Sequence, residues 1–141
     1  MSAGNPLQRF VDAQDAEGAY DRALAELRRG RKTSHWIWFV LPQVAGLGQS
    51  EMSRRYALAG VDEARAYLAH PVLGPRLRET TDLLLATPSA DPVAVLGTVD
   101  AVKVRSAMTL FAQAAPDEPA FRAVLERWYD GVEDDETLRR L

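Results

Sequence analysis

Apolar residues recur at three- and four-residue spacing along nearly the whole chain, the period of one helix face. Leu7, Phe10, Val11 and Gln14 share such a face, opened by Asn5-Pro6, a capping residue followed by proline at the first helical position. Tyr20, Leu24 and Leu27 form the next stripe, in a helix predicted from about residue 17 to 29 and stopped by Gly30. Ser34 is expected to cap a short element, residues 36–41, that Pro42 ends. There the pattern stays open: Trp36, Phe39 and Val40 suit a helix, whereas Ile37, Phe39 and Leu41 suit a strand.

The same punctuation continues. A helix capped by Ser50 turns Met52, Tyr56 and Ala59 inward and closes at Gly60. Asp62 is expected to cap the next, with Ala64, Tyr67 and Leu68 inward. Leu73, Leu77, Thr81 and Leu84 follow until Thr87-Pro88. Asp91-Pro92 opens a short helix to Gly97, Asp100 opens a longer one carrying Val104, Met108 and Phe111, and Asp117 opens a last amphipathic stripe of Phe121, Val124, Leu125, Trp128 and Tyr129. Strand-like alternation is nearly absent, and no internal repeat is visible. The pattern therefore predicts an all-α fold, a single compact orthogonal bundle of about seven to nine short helices held by packing, since such helices are marginal alone. Residues 1–141 are expected to form one domain, with 1–5 and 132–141 peripheral.

Composition narrows the class. Cysteine is absent, which removes disulfides, thiolate nucleophiles and cysteine-based zinc sites. The longest apolar run, Trp36 to Leu41, is far too short to span a membrane, and the start MSAGNPLQ has neither a basic nor an apolar leader segment. A cytoplasmic location is the default expectation. The net charge of −3 argues against non-specific duplex nucleic-acid binding, which relies on summed phosphate contacts. Locally the balance reverses: Arg22, Arg28, Arg29, Arg31, Lys32, Arg54 and Arg55 face only Glu26 and Glu51 between residues 22 and 61. Arg28 and Arg29 fit a helix end, where cations complement the macrodipole. Arg31 and Lys32 remain candidates for holding an anion.

The chemistry-bearing residues crowd into Arg28–Ser50. His35 could serve as an acid or base, although adjacent Thr33 and Ser34 do not face it on a helix. Trp36 and Trp38 diverge by about 200° if helical, so that one enters the core and the other lines a cleft. Pro42-Gln43 leads into Gly46-Leu47-Gly48 and a helix start, a weak anion-loop signal better read as a tight turn. Further on, Lys103 and Ser106 share one helix face, and Arg105 and Thr109 another; such a polar face is usually solvated. The acidic run 133–136 reads as a solvated tail. With His35 and His70 as the only histidines, no metal site and no cofactor are expected.

Several ordered segments together resemble a family: Leu7-Gln8-Arg9-Phe10, Gly30-Arg31-Lys32, Ser34-His35-Trp36, Trp38-Phe39, Pro42-Gln43, Gly46-Leu47-Gly48, Tyr67-Leu68, His70-Pro71, Leu73-Gly74, and Asp100 through Lys103, Ser106 and Met108-Thr109-Leu110-Phe111. The chain resembles the bacterial domain-of-unknown-function 1810 family, sometimes mislabelled calpastatin, over about residues 6–141. The resemblance implies a mostly helical fold and carries no catalytic role. It also marks one departure, Ala107, where the family pattern often has a second serine. A looser likeness of size and helical character, to helical domains that process ADP-ribose derivatives, is an analogy of fold.

The expectation is a soluble domain whose Lys32–Gln43 segment and Lys103–Thr109 helix form a cleft for an anionic nucleotide or ADP-ribose-like ligand. Arg31, Lys32, Ser34, Trp36, Trp38, Gln43, Lys103 and Ser106 would bind it, with His35 the acid/base if turnover occurs. The alternative is a non-enzymatic interaction or structural module with the aromatics as core.

Overall fold

A computed structural model describes residues 6–141; Asn5 and the rest of the 1–5 segment lie outside the described residues. The fold is an all-α compact bundle, and among the described residues no strand forms. In chain order the helices are α1 (Gln8–Asp15), α2 (Ala19–Arg29), α3 (Ile37–Val40), α4 (Glu51–Arg55), α5 (Val61–Ala69), α6 (Leu73–Ala86), α7 (Pro92–Leu96), α8 (Thr98–Ala114), α9 (Pro119–Tyr129) and α10 (Asp135–Arg139). No helix among the described residues is long and apolar enough to cross a membrane.

Helix α8 is the axle. Ala101, Val104, Ala107, Met108, Leu110, Phe111, Ala112 and Ala114 are buried around much of its circumference. A helix apolar on most sides must be surrounded, and α3, α5, α7, α9 and α10 all pack on it. Rings thread the core from α1 to α9: Phe10 meets Tyr67 edge-on at 5.3 Å, Tyr67 meets Phe111 at 5.6 Å, and Phe111 meets Phe121 at 5.7 Å. Ala107 is fully buried in this core.

The ambiguous 36–41 element is helical from Ile37 to Val40. Its start is not capped by Ser34, whose hydroxyl is committed elsewhere, and Trp36 occupies the cap position without a side-chain cap bond. Four other expected boundaries shift, one of them Asp117, which does not open α9 because Glu118 takes the cap position and Pro119 starts the helix. The helix that Ser50 caps, through a 3.1 Å bond from Ser53 N–H, ends at Arg55 instead of Gly60. The chain then extends, pairing Leu58 in parallel with Val44 and leaving Ala59 exposed. Asp62 does not cap α5: it lies one residue inside, fully exposed, beside Arg65. Asp100 does not open α8 either. The helix begins two residues earlier, after Gly97 turns the chain at φ 88°, a value that favours glycine.

Candidate functional site

Construction of the site starts at Glu26 on the last turns of α2. Its carboxylate is almost sealed, at 3% exposure, and accepts from Thr33 N–H at 2.7 Å, Ser34 N–H at 2.9 Å, Trp36 Nε1 at 3.0 Å and the Ser34 hydroxyl. Burial alone would raise its pKa; the bonds from Ser34, Thr33 and Trp36 outweigh that and hold it at about 2. One carboxylate thus ties down the loop that follows Gly30. A second tie, Lys32 N–H to Val95 carbonyl at 2.7 Å, fixes the loop to α7.

Lys32 then points at the start of α8. Its ammonium lies 2.6 Å from Asp100 Oδ2, donates to Ser34 carbonyl at 2.6 Å and sits 5.1 Å from the Trp36 ring centre. The Lys32 side chain is only 5% exposed, so this pair is effectively desolvated. The other Asp100 oxygen is 3.9 Å from Lys103, too far for a hydrogen bond, and the Lys103 ammonium rests 4.9 Å from the Trp38 ring centre. One carboxylate therefore faces two ammonium groups, leaving a local excess of positive charge. The first turn of α8 adds to it. No side chain caps the helix, its first internal bond runs from Ala101 N–H to Gly97, and the earlier N–H groups carry partial positive charge.

Two adjoining hollows open along this helix. One, of about 390 Å³, is bounded by Lys32, His35, Trp38, Gly97, Asp100 and Lys103. The other, of about 470 Å³, lies between Gln43, Leu47, Val102, Lys103, Ser106 and Glu136. Thr98, Val99 and Lys103 border both. Gln43 reaches the second hollow from a fixed backbone: its carbonyl accepts from Leu58 N–H at 2.9 Å, next to the Val44–Leu58 bridge.

The C-terminal segment supplies the remaining wall, contrary to its reading as a solvated acidic run. Arg105 donates from Nε to Val132 carbonyl at 2.8 Å and from Nη2 to Glu133 carbonyl at 2.7 Å. Asp134 N–H donates to Thr109 Oγ1 at 2.9 Å, while Asp134 Oδ2 accepts from Thr137 N–H at 3.0 Å and from Ser106 Oγ at 3.1 Å. The polar face of α8 is therefore a docking strip. Thr137, fully buried, anchors α10, and neighbouring Leu138 does not.

Of the residues singled out in the sequence, Lys32, His35, Trp38, Gln43, Lys103 and Ser106 border the two hollows. Three do not. Trp36 is 1% exposed and spends its indole N–H on Glu26, so it is core with no face for a ligand. Ser34 serves the same carboxylate. Arg31 is exposed and borders neither hollow. His35 is exposed on the rim of the smaller hollow. Sequence reasoning missed Glu26, the Lys32–Asp100 pair and Asp134, because each acts across a turn or between distant helices. Among the described residues no group of three or more histidine or carboxylate side chains could hold a metal.

Comparison with known proteins adds a family and a relative. The family model described as protein of unknown function DUF1810 matches residues 4–141. The crystal structure of the conserved hypothetical protein Rv1873 from Mycobacterium tuberculosis is similar, with a TM-score of 0.92 and 44% identity over 96% of this chain and 95% of that one. No curated protein matches.

Proposed function

This chain belongs to the DUF1810 family of unknown function, and we propose that it binds a phosphate-bearing, ring-containing small molecule, a nucleotide or ADP-ribose derivative, in the groove along α8. The observation that carries the reading is Lys103. It stands where the two hollows meet, paired with Asp100 only at 3.9 Å because Lys32 has taken the nearer share of that carboxylate. A phosphate beside Lys103 would meet the uncapped start of α8, and helix starts favour anions. The ligand's ring would lie over Leu47, Val99 and Val102 in the larger hollow. Pockets of this size suit small ligands.

The arrangement supports binding more than turnover. Among the described residues His35 has no hydrogen-bond partner to set its tautomer, and a general base needs such orientation. Thermal denaturation with ADP or pyrophosphate tests the proposal. At a hundredfold excess over Kd either ligand stabilises by about 2.7 kcal/mol, several degrees in melting temperature. Lys103→Ala should abolish that shift while leaving the unliganded protein folded. No shift in the wild-type protein with either compound overturns the proposal.

A second reading, an interaction module, draws on Val99 and Val102, exposed by 66% and 60% on the same helix. Two valines one helical turn apart make only a small apolar patch, too little for a docking face.

A further inference from the structure

The two hollows differ in chemistry, and the difference says which ring the larger one would take. Both border Lys103 and Thr98 at the start of α8, and the smaller adds Lys32, His35 and Asp100. The larger has apolar walls, Leu47, Val99 and Val102, closed at its far end by Ser106, Asp134 and Glu136. Every side chain at that end offers acceptors. Glu136 is a carboxylate whose pairing with Arg139 and Arg140 uses only part of its four lone-pair sites. The Ser106 hydroxyl has a single hydrogen, directed to Asp134 Oδ2 or to the Val102 carbonyl, so it can only accept from a ligand. Gln43, which also borders this hollow, has a side-chain amide without a partner among the described residues and can donate and accept at once. Such an amide makes paired bonds to an amino group and the adjacent ring nitrogen of adenine.

From this layout we infer that the groove selects a 6-aminopurine over a 6-oxopurine nucleotide, with Gln43 and Glu136 reading the base. This rests on the phosphate-binding reading above and deepens it. A phosphate at Thr98 and a base at Ser106 are separated by about 12 Å along the α8 axis, a spacing a nucleotide can bridge. An amino group at the far end finds only acceptors. A 6-oxopurine in the same pose would give its N1–H to the Gln43 oxygen and take a Gln43 amide hydrogen on O6, but that O6 would also face the Glu136 carboxylate with no hydrogen between them, and this unmatched pair is the penalty.

Calorimetric titration of the full chain with ADP, IDP and pyrophosphate tests this. ADP and IDP carry the same phosphates and differ at the purine edge. ADP should bind about tenfold more tightly than IDP, the discrimination typical of one well-placed paired contact. Glu136→Gln, at a half-exposed position where folding is not at stake, should bring the two affinities within about twofold and leave pyrophosphate binding unchanged. Equal affinity of the wild-type protein for ADP and IDP, with both lost in Lys103→Ala, overturns the base selection and leaves the phosphate site standing. Absence of binding by all three compounds overturns both.

Discussion

Protonating Glu26 should unfasten the loop that carries Lys32, His35 and Trp38. The carboxyl titrates at about 2 in the folded chain, against an ordinary value of 4.5. The native state therefore binds fewer protons than the unfolded state between those values. Stability from this group is complete above about pH 4.5 and drains away as pH falls toward 2. The difference corresponds to about 3 kcal/mol, a sizeable part of the stability of a domain this small. Glu26→Gln keeps the size and one acceptor oxygen but cannot titrate. Urea denaturation at successive pH values from 7 to 2 measures the effect. Wild-type stability should fall by about 3 kcal/mol more than that of Glu26→Gln over the acid limb, although the variant starts lower. Parallel acid limbs for the two proteins would refute the role assigned to this carboxylate.

Other expectations follow from the same contacts. Arg105→Ala removes both guanidinium bonds to the 132–133 backbone, so it should cost about 1–2 kcal/mol and speed proteolytic cleavage near Val132; unchanged cleavage would count against the clamp. Asp100→Ala strands the buried Lys32 ammonium and should cost about 3 kcal/mol, while adding Lys32→Met should recover part of that loss in a double-mutant cycle. Strict additivity would mean the pair is not coupled. Glu17 holds φ 54° in the turn before α2, so Glu17→Asn should stabilise by about 0.5 kcal/mol, read from the urea midpoint.

Hydrophobic periodicity made most of the core legible. Phe10, Leu77, Val104 and Phe121 are inward as their spacing implies, because burying one face fixes helix phase. Caps were legible where the acid or hydroxyl had only local work. Asp91 does accept from Val93 N–H at 3.0 Å, and Ser50 caps α4. They misled where a carboxylate had a stronger distant partner. Asp100 looks like a cap and is instead drawn to two lysines, one of them 68 positions earlier in the chain, which no local rule contains. Ser34 is captured by Glu26 in the same way. The dense 28–50 segment did locate the hollows, but its tryptophans divide: Trp36 follows Glu26 inward, while Trp38 lies half-buried beside Lys103. The docked tail was illegible because a run of acids reads as solvated unless Arg105, Gln113 and Arg122 are known to face it.

Crystals of the protein grown with ADP would test the central claim most directly. The account predicts phosphate density within hydrogen-bond reach of Lys103 Nζ and the first N–H groups of α8, with the purine between Gln43 and Val102. An ordered ADP bound elsewhere on the surface, with the α8 groove filled only by solvent, would contradict it.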